Sequence, residues 1–163
     1  MSKINIELIK KLREETGVAI IRIREVLDEV MGDLPADATH QALQAGEKKA
    51  LVILKKEGVE KAAKREGRET SEGKVFVYSH HTGKVAGIVE LLCETDFVAK
   101  TEVFEALGRD IAMQTASMGE ENIEKQDFVK DPSKKVSDLV KEVIAKTGEN
   151  VRIGRAFRVE LGK

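Results

Sequence analysis

The chain has 163 residues, of which 41% are hydrophobic, and this is enough apolar material for a folded core. Lysine and arginine number 28 against 29 aspartates and glutamates, a balance that argues against a dedicated nucleic-acid-binding protein, which usually carries a basic excess. Aromatic residues make up only 4% and tryptophan is absent, so base-stacking surfaces for single-stranded nucleic acid are poorly supplied.

Cysteine usage and hydropathy bear on the compartment. The single cysteine, Cys93, cannot form an internal disulfide, which is typical of a reducing environment. No charged and then apolar leader opens the chain, and no apolar run reaches the length of a membrane span. We therefore expect a cytoplasmic protein.

The N-terminal third of the chain has the apolar spacing of helices. Asn5 can cap the first helix, and Gly17 supplies a helix-ending position that favours positive φ. Pro35 lies near the start of the third helix, where proline is tolerated. The predicted helices are 5–15, 19–31, 36–56 with an interruption near Gly46, and a short basic helix at 59–66. Three helices of this size predict a small bundle.

The remainder of the chain predicts an α+β core in the order β-β-α-α-β, with antiparallel strands. Ser133 is the expected cap of the second core helix, and residues 66–72 and 120–131 are the expected connectors. The predicted strands are 74–79, 85–93 and 151–161, and the predicted helices are 104–118 and 134–146. The chain therefore divides into an N-terminal helical module, 1–66, and an α+β core, 67–163.

The last predicted strand has the clearest alternation of apolar and polar residues in the chain. Val151, Ile153, Phe157, Val159 and Leu161 are expected to share one face of the sheet. A sheet of three strands is thin, and an exposed apolar face would favour pairing with a second copy of the chain.

A loop between the second strand and the following helix carries Thr95-Asp96-Phe97-Val98-Ala99. Such junctions usually contain small polar residues, but this one has a carboxylate beside a large aromatic ring. In one interpretation Thr95 or Asp96 caps the helix and Phe97 packs beneath it. In the other, Phe97 is presented to a partner.

Four segments in the same order resemble motifs of the bacterial elongation factor Ts family. The strand that ends in Glu-Leu-Leu-Cys-Glu before Thr-Asp-Phe-Val is similar to the family signature. The other three segments are Leu12 to Gly17, Arg68 to Gly73 and Gly148 to Ile153. One motif alone would be weak evidence of a resemblance, but the four motifs occur in the same order and together cover nearly the whole chain. The stretch between Gly32-Asp33 and Lys55-Lys56-Glu57-Gly58 is longer than the family usually shows, and Leu34 to Gly46 is expected to carry an insertion or an extended third helix.

This resemblance implies a guanine-nucleotide exchange factor for the GTPase elongation factor Tu. Phe97 would insert its ring between helices of the GTPase domain, and Asp96 would disturb the neighbourhood of the Mg²⁺ site. Thr95 and Val98 would shape the loop and anchor it. In the N-terminal module, which the family builds as a ubiquitin-associated-like three-helix fold, Arg13, Ile20 and Ile21 would contact the same partner. The short family form is expected to act as a homodimer.

The residues themselves favour no enzymatic site. Cys93 lies in a predicted buried strand, where a thiol is usually inert. His80, His81 and His40 lack the further ligands of a metal site, and no phosphate-binding glycine loop is present. We therefore expect no cofactor, no metal and no direct nucleotide binding.

Two other functions are compatible with the sequence. A ubiquitin-associated-like adaptor without exchange activity would have no reason to expose Asp96 and Phe97. An RNA-associated translation protein would use the basic stretch from Lys48 to Arg68, although glutamates interleave with its lysines as on a solvated helix face. Contact with nucleic acid is therefore not expected.

Overall fold

The computed structural model describes residues 5–32, 34 and 38–163. The chain divides into two compact units, Met1–Lys64 and Arg65–Lys163. The prediction of an α+β fold is confirmed, because the first unit contains helices and the second combines helices with antiparallel strands. Among the described residues, no helix combines the length and the hydropathy that crossing a bilayer would require.

The described part of the N-terminal unit contains three helices around one apolar core. Asn5 caps the first helix by accepting a hydrogen bond from the backbone N–H of Glu7 at 3.0 Å, and Gly17 ends it with a φ of 67°. Both predictions are thus confirmed. The helices are α1 (Ile6–Thr16), α2 (Ile20–Met31) and α3 (His40–Ala63). The buried core residues include Leu12, Ile23, Val26, Leu27, Ala50 and Leu54.

The third helix differs from its prediction. Helix α3 runs without interruption through Gly46, and the expected short helix at 59–66 is only the last part of α3. Gly46 is buried, and a Cβ built there would lie 2.7 Å from Cγ of Met31. The glycine therefore allows α2 and α3 to pack closely and does not break the helix. The predicted helix start at Pro35 and Ala36 lies outside the described residues.

The second unit is built around a three-stranded antiparallel sheet. Its elements are β1 (Glu72–Ser79), β2 (Val85–Cys93), α4 (Asp96–Ala99), α5 (Glu102–Met118), β3 (Asp127–Phe128), β4 (Asp131–Lys135), α6 (Val136–Thr147) and β5 (Val151–Glu160). Strand β2 lies between β1 and β5, as its continuous apolar sequence predicts. Helix α5 packs closely on one face, where a Cβ on Gly87 would overlap the carbonyl oxygen of Ala112.

A β-bulge in β5 changes the faces that its residues occupy. Leu91 of β2 pairs with Ile153, but Val89 pairs with Ala156, so two residues of β5 oppose Glu90. The extra residue reverses the alternation. Val151 and Ile153 therefore lie on the face covered by α5, whereas Phe157 and Val159 lie on the opposite face. The prediction that all of these residues share one face is wrong.

The sheet face turned away from α5, called here the outer face, is apolar and exposed. Val77, Ile88 and Phe157 pair side by side across all three strands. Val77 is 65% exposed and Phe157 is 53% exposed. Val75, Val159 and Leu161 are also more than half exposed. A helix therefore covers only one side of this sheet in the described structure.

The segment between α5 and α6 is more ordered than its polar sequence predicts. Strands β3 and β4 form a small antiparallel hairpin. The fully buried side chain of Gln114 holds this hairpin: it donates to the carbonyl oxygen of Asp127 at 3.0 Å and accepts from the backbone N–H of Val129 at 2.8 Å. Ser133 lies in β4 and hydrogen-bonds Asp131, so its predicted capping role is wrong.

Candidate functional site

The loop after β2 presents an aromatic ring to solvent. Helix α4 is a single turn, and within it Phe97 is 79% exposed while Val98 and Ala99 are buried at 7% and 4%. The interpretation in which Phe97 packs beneath its own helix is therefore wrong. The buried neighbours anchor the turn on the unit and leave the ring available for contact.

The turn is held at its start by a carboxylate from a distant part of the chain. Thr95 donates its hydroxyl hydrogen to Oε1 of Glu149 at 2.7 Å and its backbone N–H to Oε2 at 3.0 Å. The thiol of Cys93 donates to the carbonyl oxygen of Thr95 at 3.1 Å. The Thr95 hydroxyl makes no capping hydrogen bond to α4, because it is bound to Glu149.

Asp96 makes its main contact within the same turn. Lys100 donates to Oδ2 of Asp96 at 2.6 Å, and both side chains are at least half exposed. This hydrogen bond from Lys100 lowers the pKa of the Asp96 carboxyl, which is therefore ionised at neutral pH. The loop thus offers a partner an exposed ring next to a negative charge.

The single cysteine lies beneath this loop and is chemically quiet. Cys93 is fully buried, and burial, reinforced by the charge of Glu149, raises the pKa of its thiol to about 11. The reactive form of a cysteine is the thiolate. Cys93 therefore serves as a packing residue and a hydrogen-bond donor, which is the predicted inert role.

Comparison with known proteins shows which family this chain resembles. A family model described as Elongation factor TS matches residues 94–163, which include the loop, Glu149 and β5. Elongation factor Ts of Leptospira biflexa is 36% identical over 204 residues, covering 96% of both chains. The chain belongs to the elongation factor Ts family. Elongation factor Ts of Thermotoga neapolitana is 34% identical over 207 residues, covering 99% of this chain and 98% of that protein.

This member of the elongation factor Ts family is compact. The alignment with the Leptospira protein extends over 204 positions, which exceeds the 163 residues of the chain by 41. At least 41 aligned positions therefore carry no residue of this chain.

The N-terminal residues that the family resemblance singles out lie around the α1–α2 turn. Arg13 is exposed in the last turn of α1. Ile20 and Ile21 are 38% and 74% exposed in the first turn of α2. The sequence required at least one of these isoleucines to be exposed, because adjacent residues cannot both face a narrow core stripe. Both are exposed, while the next apolar residue, Ile23, is fully buried.

The other sequence candidates form no further site in the part of the chain that is described. The rings of His80 and His81 lie 4.2 Å apart between their centroids in the β1–β2 turn, and His40 begins α3. No group of three or more potential metal ligands occurs among the described residues. Sequence reasoning missed the role of Glu149. Its motif was visible, but its contact with Thr95 joins residues 54 positions apart.

Proposed function

We propose that the protein is a guanine-nucleotide exchange factor that binds the GDP form of elongation factor Tu, promotes release of GDP and allows GTP to bind. The observation that carries this proposal is the exposed ring of Phe97 on a turn anchored by buried neighbours. Membership of the elongation factor Ts family supports it. An exposed aromatic ring on a held turn suits insertion into a partner, and an adaptor without exchange activity has no need of it.

The mechanism requires no covalent chemistry, so the protein is not an enzyme in the usual sense. An exchange factor binds the nucleotide-free GTPase more tightly than the nucleotide-bound form, and this difference in affinity weakens nucleotide binding reciprocally. Burial of the Phe97 ring contributes about 1.5–3 kcal/mol, which is a tenfold to hundredfold change in affinity. The ring inserts between helices of the GTPase domain, and Asp96 perturbs the neighbourhood of the Mg²⁺ that accompanies GDP.

A second contact comes from the N-terminal module, residues 1–66, which has a ubiquitin-associated-like fold. Arg13, Ile20 and Ile21 bind the nucleotide domain of elongation factor Tu. The exposure of both isoleucines supports this contact, because a surface that buries apolar side chains on binding leaves them bare in the free protein. Thr95 and Val98 shape and anchor the loop in the core domain, residues 67–163.

The working form is a homodimer in the cytoplasm, without a cofactor. The two copies pack through their outer faces, and each copy supplies one exchange loop. The unbroken apolar row of Val77, Ile88 and Phe157 supports this pairing, since a second copy of the same face is complementary to it in character.

The experiment that tests the exchange function measures release of a fluorescent GDP analogue from elongation factor Tu. The wild-type protein should accelerate release, and Phe97→Ala should abolish most of the acceleration. Met118→Ala is the matched control, because Met118 is a 61% exposed apolar residue of the same unit outside the loop.

Each result has a definite meaning. Acceleration that survives Phe97→Ala would leave the exchange function in place but remove Phe97 from the mechanism, and Asp96→Asn would then be compared. No acceleration by the wild-type protein would refute the exchange function. An equal loss in Met118→Ala would show that the assay reports damage to the unit and not removal of the ring.

A further inference from the structure

Four residues where the end of β2 meets the start of β5 are joined by hydrogen bonds in both directions. We call them the strand-end cluster, and they are Glu94, Thr95, Glu149 and Asn150. Glu149 accepts the hydroxyl and backbone N–H of Thr95, and Glu94 accepts the backbone N–H of Asn150. Glu149 thus holds the backbone of Thr95, the residue after Glu94, and Glu94 holds the backbone of Asn150, the residue after Glu149. The end of β2 is thereby joined to the start of β5 immediately before the Phe97 turn.

The cluster is itself supported from outside. Asn150 is only 4% exposed, and its side-chain amide donates to the carbonyl oxygen of Arg68 at 2.8 Å. Arg68 also forms an ion pair with Glu94 at 3.6 Å. Glu149 therefore projects from a backbone that is held in place, and its two oxygens act as a fixed support for Thr95.

The buried Val98 and Ala99 anchor the later part of helix α4, but the start of the helix needs support from outside it. The helix has four residues, and an isolated helix of this length is unstable. Asp96 is bound to Lys100 within the same turn, so this ion pair does not tie the start of α4 to the rest of the unit. The bond from the Thr95 N–H to Glu149 therefore fixes the point from which the turn, and the ring on it, leave the surface.

We propose that Glu149 is a positioning residue for nucleotide exchange: it holds Thr95 and so fixes the direction in which Phe97 projects. This inference rests on the proposed exchange function and adds to it a residue that does not touch the partner. Without Glu149 the turn samples several orientations, and only the fraction with the ring correctly placed engages the GTPase. The apparent affinity for the GTPase falls in proportion to that fraction.

The first test measures the loop in the free, full-length protein by amide hydrogen exchange with NMR detection. In Glu149→Ala the Thr95 amide should exchange about tenfold faster or more, because it loses a hydrogen bond to a charged acceptor. Asp138→Ala is the matched control, since Asp138 accepts a backbone N–H at the start of another helix, from Lys135 at 3.0 Å. An unchanged Thr95 amide in Glu149→Ala would overturn the proposal whatever the protein's activity.

The second test measures GDP release from elongation factor Tu at factor concentrations well below saturation, where the rate follows the apparent affinity. Glu149→Ala should reduce this rate roughly tenfold, the same factor as the loss of the charged hydrogen bond, and Asp138→Ala should not reduce it. In a Phe97→Ala background the further change to Glu149→Ala should have no effect, because a residue that acts only through Phe97 has nothing left to position. An equal loss in both backgrounds would overturn the proposal, as would full activity of Glu149→Ala.

A third variant separates positioning from folding. Glu149→Gln keeps the volume and one oxygen that can accept the Thr95 N–H, so it should recover much of the activity lost in Glu149→Ala. If both variants are folded and Glu149→Gln is as inactive as Glu149→Ala, the result would contradict the role of that oxygen as the acceptor for the Thr95 N–H. Failure of the wild-type protein to accelerate release would refute the exchange function itself. The Thr95 amide measurement tests separately whether Glu149 holds the loop, so the two failures can be told apart.

Discussion

The outer face of the sheet allows a quantitative prediction about assembly. Phe157 lies on the outer face in the edge strand β5, beside Ile88 of the central strand, and about half of its surface is exposed. Burial of that half in a dimer contributes about 1 kcal/mol or somewhat more, since full burial of such a side chain contributes about 1.5–3 kcal/mol. In a symmetric dimer each residue counts twice, so the ring contributes about 2–3 kcal/mol.

The substitution Phe157→Asp removes this contribution and adds a penalty. The carboxylate would be buried against apolar side chains of the other copy, which costs at least another 1–3 kcal/mol when no partner for it is present. The total of about 4 kcal/mol corresponds to a dimer roughly a thousandfold weaker. Because the other half of the Phe157 side chain is buried in the single unit, Phe157→Asp should also lower the free energy of unfolding of the monomer, by about 1 kcal/mol.

The assay is sedimentation equilibrium across a range of concentrations. The wild-type protein should show a mass twice that of the 18.0 kDa chain, and Phe157→Asp should show the single-chain mass. Val129→Asp is the control, because Val129 is an exposed apolar residue of the same unit outside the three strands of the sheet. A wild-type protein that stays at 18.0 kDa far above micromolar concentration would refute the reasoning that this face pairs with itself.

Three further predictions concern packing, reactivity and the N-terminal contact. A Cβ on Gly108 would overlap the ring of Phe76, so Gly108→Ala should lower the free energy of unfolding in urea by about 1–3 kcal/mol; no loss would mean that the ring moves aside freely. Because folding raises the pKa of Cys93 to about 11, ionisation of the thiol favours the unfolded state, and the associated stability is present below pH 9.0 and lost as pH rises above it. Native protein at pH 8 should accordingly react with iodoacetamide far more slowly than urea-unfolded protein, and equal rates would contradict the burial. Ile21→Ser should leave stability within about 0.5 kcal/mol and weaken binding to elongation factor Tu, whereas Ile23→Ala should cost about 2–5 kcal/mol of stability; unchanged binding in Ile21→Ser would refute the contact.

Features of the fold that depend on neighbouring residues were predictable from the sequence. The cap at Asn5 and the left-handed glycine at Gly17 are local requirements of a helix end. The central position of β2 follows from its continuous apolar run, which only a strand covered on both edges and packed on a helix can use.

Features that depend on contacts between distant segments were not predictable in this way. The bulge opposite Glu90 depends on the register between β2 and β5. Counting the alternation along β5 alone therefore placed Phe157 on the same face as Val151 and Ile153, which is wrong. Gly46 weakens a helix by propensity, but its contact with Met31 is tertiary and keeps α3 continuous.

The candidate site divides in the same way. The loop from Thr95 to Ala99 was identified from its unusual residues, yet its sequence left open whether Phe97 is buried or exposed. Burial of Val98 and Ala99 settles that point, because a single turn cannot direct all of its side chains inward. Glu149 could have been found only by knowing that the start of β5 lies beside the end of β2.

The strand-end cluster also sets the order in which a newly made chain becomes competent. Thr95 and Phe97 are synthesised more than fifty residues before Glu149, and β2 gains its second neighbouring strand only when β5 has been made. During translation the N-terminal unit can fold first, but the Phe97 turn lacks its support until Glu149 follows. On the proposed role of Glu149, a chain interrupted before residue 149 would therefore carry the loop without the residue that orients it, and would engage the GTPase more weakly than the finished chain.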